Sequence, residues 1–105
     1  AAMMRAETRP LSIAVVAIQG DCPVYQIGDS FRIEGGYKLV SEVPICMHAL
    51  QSIAPYYVAL SRGVASDDLG LSGPEPGVAY VQCLDPEPYT GGGTVTFRIR
   101  PEDHV

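Results

Sequence analysis

The stretch Ser41-Glu42-Val43-Pro44-Ile45-Cys46-Met47-His48-Ala49-Leu50-Gln51-Ser52-Ile53-Ala54-Pro55-Tyr56-Tyr57-Val58 decides the fold class. Within it the apolar spacing changes from about two residues to about 3.6, the change that separates a strand from a helix. Val43, Cys46, Met47, Leu50, Ile53, Ala54, Tyr57 and Val58 fall three and four residues apart, which predicts one amphipathic helical face. Ser41 or Glu42 supplies the N-cap region, Pro44 suits the first turn, and Gly63 after Arg62 is a stop signal. Pro55 lacks an N–H and lies inside the pattern, so a kink or two short helices meeting near Ala54 are expected.

Strand patterns flank this helix on both sides. Leu11-Ser12-Ile13-Ala14-Val15-Val16-Ala17-Ile18 is nearly continuous in apolar residues, which suggests a central strand covered on both faces. Cys22-Pro23 follows in a turn, because proline pushes the residue before it out of the helical region. Gly28-Asp29 makes a second turn before a short strand with Phe31 and Ile33 on one face, closed by Gly35-Gly36. Beyond the helix, residues 65–77 are dense in turn formers and read as a long loop of the kind that serves as a lid or mobile segment. Val78 to Leu84 reads as a strand, Asp85 to Gly93 as a wide hairpin connection, and Thr94 to Arg100 as an alternating strand with Val95, Phe97 and Ile99 facing the core. The order strand, strand, helix, strand, strand predicts an α+β domain: a small, mostly antiparallel sheet of about four strands, with a kinked helix or helix pair on one face. Residues 1–10 are expected to be an N-terminal tail and 11–105 a single domain.

The composition narrows the function classes. The 105 residues are 47% hydrophobic, enough for one packed core. Seven Lys and Arg against twelve Asp and Glu give a net charge of -5, which repels a phosphate backbone and argues against nucleic-acid partners. No apolar run approaches the roughly 20 residues of a membrane span, so no membrane partner and a cytoplasmic location are expected. No internal repeat is present.

Only the cysteines point to chemistry. Three of them, Cys22, Cys46 and Cys83, cannot form a complete intramolecular disulfide set. Cys22 is placed on a loop after a buried strand, Cys46 in the first turn of the helix, and Cys83 at a strand end. Helix-start cysteines are favoured as thiolates, yet position 46 also belongs to the apolar stripe, and free cysteine is among the most buried residue types. Together the three thiols are candidates for a zinc or iron–sulfur site, with His48 and Asp85 as weaker ligands. Against that stands the lack of any Cys-x-x-Cys pair, and residues 46 and 48 do not share a helical face. A redox or nucleophilic thiol at Cys22 or Cys46 is the second chemistry open to the chain. Thr90-Gly91-Gly92-Gly93 precedes a strand rather than opening a helix, so it reads as a flexible hairpin loop and not as a phosphate cradle.

Cys22-Pro23 with Tyr25, Gly28-Asp29, Gly35-Gly36, Cys46 with Ala49, and Val81-Gln82-Cys83-Leu84-Asp85-Pro86 leading to Thr90-Gly91-Gly92-Gly93 resemble a small bacterial and archaeal domain family of unknown function. The resemblance runs from about Leu11 to Arg100. It implies that Cys22, Cys46 and Cys83 belong to a shared pattern to which His48 does not, and it implies no activity. Two readings therefore stand: a cysteine-centred site that binds a metal or cluster or acts as a redox thiol, and a non-catalytic accessory subunit with core cysteines. In the latter, Tyr56, Tyr57 and Tyr89 form an interface in a homo-oligomer or with a protein partner.

Overall fold

A computed structural model of the chain describes residues 7–102. Its elements are β1 (Leu11–Gly20), β2 (Ser30–Glu34), β3 (Lys38–Val40), α1 (Met47–Ile53), α2 (Tyr57–Ser61), a 3-10 turn (Ser66–Leu69), β4 (Ala79–Gln82), α3 (Glu87–Thr90) and β5 (Gly93–Pro101). The strands form one antiparallel sheet in the order β3-β2-β1-β5-β4, so the fold is α+β. It has five strands rather than about four. The additional one, Lys38-Leu39-Val40, is three residues long and exposed throughout, too short to show an alternation. The expected tail falls largely on residues 1–6, outside the described residues. Arg9 and Pro10 are tied to the domain, through Arg9 N–H to Ser61 O at 2.7 Å and Glu102 N–H to Pro10 O at 2.8 Å.

β1 lies at the centre of the sheet, but one of its faces is not covered as expected. Leu11, Ile13 and Val15 are buried, whereas Ser12, Ala14 and Val16 are half-buried. By register Ser12 lies between Arg32 and Arg100, and Ala14 lies beside Arg98. Helices on one side of an antiparallel sheet leave the other side to solvent, and the short side chains of Ser12 and Ala14 disguised that face as apolar. A register shift between Val15 and Ala17 inserts one residue, after which Ile18 pairs with Val95 and packs against the core.

The helical stripe forms two short helices separated at 54–56, as Pro55 dictates. Helices this short are marginal alone, so burial of Ala49, Ile53 and Leu60 against the sheet holds them. A fully buried Leu or Ile contributes about 1.5–3 kcal/mol. The helix begins later than its apolar spacing predicts. Pro44 keeps Val43 from helical geometry, and the Ser41 hydroxyl both accepts from Val43 N–H (3.1 Å) and donates to Val43 O (2.6 Å), which locks a turn.

Residues 65–77 are not a free loop. Tyr80 N–H donates to Leu71 O at 2.9 Å, Ser72 bridges Ala79 in antiparallel fashion, and Glu75 pairs with Arg98 and Arg100. No helix among the described residues is long and apolar enough to cross a membrane.

Candidate functional site: a cavity lined by three cysteines

Three segments meet where β1 and β5 end their pairing at Gly20 and Gly93. The chain leaves β1 through Asp21, whose N–H donates to Gly92 O at 3.2 Å, and enters the Cys22-Pro23 turn. Gly93 lies directly under that turn. A Cβ built there would stand 2.6 Å from Cys22 N and 2.7 Å from Asp21 C, so only glycine lets the two backbones approach this closely. The start of α1 forms the third wall.

Within the turn the Cys22 sulfur faces its own backbone, with Val24 N–H and Tyr25 N–H directed at Sγ from 3.4 and 3.3 Å. Tyr25 then turns its ring into the core, stacking with Phe31 at 6.4 Å between centroids and meeting Phe97 edge-on at 5.4 Å. Its hydroxyl accepts the N–H of Cys46 at 2.9 Å. Burial pushes the Tyr25 phenol above its ordinary value of 10.0; the Cys46 N–H opposes this, and the Cys46 and Cys22 sulfurs and Asp29 add to it. Tyr25 thus links two cysteines that lie 24 positions apart in the chain, and Gly93 links the third: Cys83 Sγ donates to Gly93 O at 3.5 Å and accepts Val95 N–H at 3.2 Å.

Cys22, Cys46 and Cys83 therefore line one cavity of about 200 Å³, together with Val24, Tyr25, Ala49, Val95 and, at the edge, His48 and Asp85. All five residues expected at a cysteine site are brought to it, but they are not equivalent. Cys22 and Cys46 are half-buried, Cys83 is buried at 7% exposure, and His48 is exposed. Cys46 is the residue before the helix rather than part of its first turn, with extended backbone (φ -78°, ψ 132°) and no capping bond from its side chain. Asp85 is committed to its own loop: one carboxylate oxygen accepts the Thr90 hydroxyl and the other accepts Gly93 N–H at 3.3 Å. Among the described residues, no group of three or more His, Cys, Asp or Glu side chains is placed to hold a metal ion.

The remaining expectations fare differently. No residue of 65–77 lines the cavity, so this segment is not its lid. Tyr56 and Tyr57 are both half-buried, lining grooves on different sides of the helix pair, and Tyr89 stands 91% exposed on α3. Sequence reasoning missed Tyr25 and Gly93 as site residues; the signal was Tyr25 three residues after Cys22, where its N–H can reach the sulfur.

No protein-family model matches the chain, and neither a curated protein nor a solved structure matches it.

Proposed function

We propose that this cavity is a site of thiol chemistry, with Cys22 as the reactive sulfur. The observation that carries the reading is the pair of backbone N–H groups directed at Cys22 Sγ inside a cavity that two further cysteines share. Backbone donors fixed on a sulfur suit the charged thiolate, the form that attacks electrophiles and disulfides. The ligand this reading calls for is small and uncharged. The cavity has the volume of about six or seven waters, its walls include Val24, Ala49 and Val95, and neither Lys nor Arg lines it.

The zinc or iron–sulfur form of the reading is less well supported, because it needs converging donors. Cys83 is engaged with Gly93 and Val95, both Asp85 oxygens have partners, and His48 is exposed. One observation favours the accessory reading: Cys83 belongs to the core cluster, and Cys22 and Cys46 pack against it.

Alkylation of the native protein with iodoacetamide, read site by site by mass spectrometry, separates these. The thiol reading expects Cys22 to react at least about tenfold faster than a thiol in the unfolded chain, with Cys46 next and Cys83 slowest. Uniform protection of all three overturns it in favour of core packing. Stoichiometric zinc or iron in anaerobically purified protein, lost on Cys22→Ser, overturns it in favour of a metal site.

A further inference from the structure

A second surface, lined by none of the cysteines, has the construction of a strand acceptor. In the β4–β5 pair, Cys83 N–H points inward to Val95 O at 2.9 Å, and the alternation of an antiparallel ladder turns residues 80 and 82 the other way. Tyr80 N–H does point outward, and the chain fills that position itself: Leu71 O accepts it at 2.9 Å, and Ser72 bridges Ala79. The strap then ends. At Gln82, one step further along the same edge, the ladder alternation turns N–H and C=O outward, and Gln82 lines a groove of about 410 Å³ between β4 and the α1–α2 junction. The groove floor is Leu71, Pro55, Tyr56 and Val81, Leu84 stands 61% exposed at its end, and no charged side chain lines it.

We infer that this groove binds an extended, uncharged segment of a partner polypeptide, which continues along the β4 edge the pairing that residues 71–72 begin. Two features specify this occupant. The chain's own segment shows that an extended backbone fits against the edge, and the uncharged, partly apolar lining excludes a segment whose groove-facing side chains are charged. Main-chain bonds to Gln82 supply the affinity, and contacts with Tyr56 and Leu84 supply the side-chain preference. The opposite edge, β3, differs: it carries Lys38, the charge that commonly guards an edge strand against pairing. The inference is independent of the thiol reading, because no cysteine lines this groove.

The test uses a capped Val-Thr-Val-Thr-Val peptide titrated into labelled full-length protein and followed by NMR. Shifts confined to Gln82, Leu84, Tyr56 and Leu71, slowed exchange of the Gln82 amide, and a dissociation constant of about 1 mM or tighter are expected. Gln82→Pro deletes the outward N–H without removing a ladder bond, so it should fold and lose at least about tenfold in affinity. Should that variant fail to fold, Leu84→Glu, at an exposed position, should give the same loss. Unchanged affinity in the folded variant, shifts centred on β3, or no shift at millimolar peptide each overturns the inference. Concentration-dependent protection of Gln82 without peptide also overturns it, assigning the groove to a second copy of the chain.

Discussion

The two faces of this sheet come from the same strands and the same alternation, yet they are held together in opposite ways. On the covered face Ile13, Phe97 and Ile99 are fully buried, and at the start of β5 the packing tightens until Gly93 touches the Cys22 turn. On the open face Arg32 pairs with Glu34 and Glu102, and Arg98 and Arg100 share Glu75. Glu102, and more weakly Glu34, raise the Arg32 guanidinium further above its ordinary value. The difference teaches where specificity resides. Backbone contacts and buried donors have one geometry and little slack, whereas exposed ion pairs can rearrange or exchange water for each other at small cost. The cavity belongs to the first kind of construction, and substitutions should separate the two regions by magnitude.

The largest effect is expected at Gly93. In Gly93→Ala the new methyl meets Cys22 N and the Asp21 carbonyl at 2.6–2.8 Å, and these are backbone atoms that cannot swing aside as a side chain would. Overpacking of this type costs about 1–3 kcal/mol, and the upper end is expected here, read as the shift of the urea midpoint at constant slope. The same variant should change the iodoacetamide rate at Cys22, because it displaces the turn that presents the sulfur. A wild-type urea midpoint would show that the Cys22 turn has slack, and the contrast between the faces would fail.

An intermediate effect is expected at Tyr25. Tyr25→Phe keeps the ring among Phe31 and Phe97 but removes the acceptor of Cys46 N–H, for a loss of about 1–2 kcal/mol. Because the phenol is raised above 10.0 in the folded state, the unfolded chain releases this proton first. The contribution to stability is therefore complete below 10.0 and is lost as pH rises from there through the raised folded value. Unfolding free energies measured across that window should fall with pH more steeply in the wild type than in Tyr25→Phe. Parallel profiles would remove Tyr25 from the buried link between Cys22 and Cys46.

Much of the covered face was legible in the sequence, and little of the site was. The alternation of Val95, Phe97 and Ile99 and the 3.6-residue spacing around Ile53 report burial directly, so strands, helices and the break at Pro55 follow from them. Lys38–Val40 was invisible because an exposed three-residue edge strand buries nothing that would impose a period. The apolar stripe places the start of α1 too early because it runs on to Val43, while Pro44 and the Ser41 turn decide the backbone. The positions of the three cysteines at segment ends point to their meeting. What joins them, a tyrosine hydroxyl on a backbone N–H and a glycine under a turn, is a matter of long-range approach that no local pattern encodes.

The smallest effect is expected at Glu75 on the open face. Its carboxylate reaches Arg100 and, at 3.9 Å, Arg98, but the three side chains are 30–41% exposed, so solvent screens most of the attraction. Glu75→Gln should cost less than about 1 kcal/mol, and added salt should shrink the difference from wild type further. The iodoacetamide rates of all three cysteines should be unchanged, since residues 65–77 do not line the cavity. A change at Cys22 in this variant would mean that the strap along β4 and the cysteine cavity communicate through the sheet, and the two faces would then have to be treated as one unit.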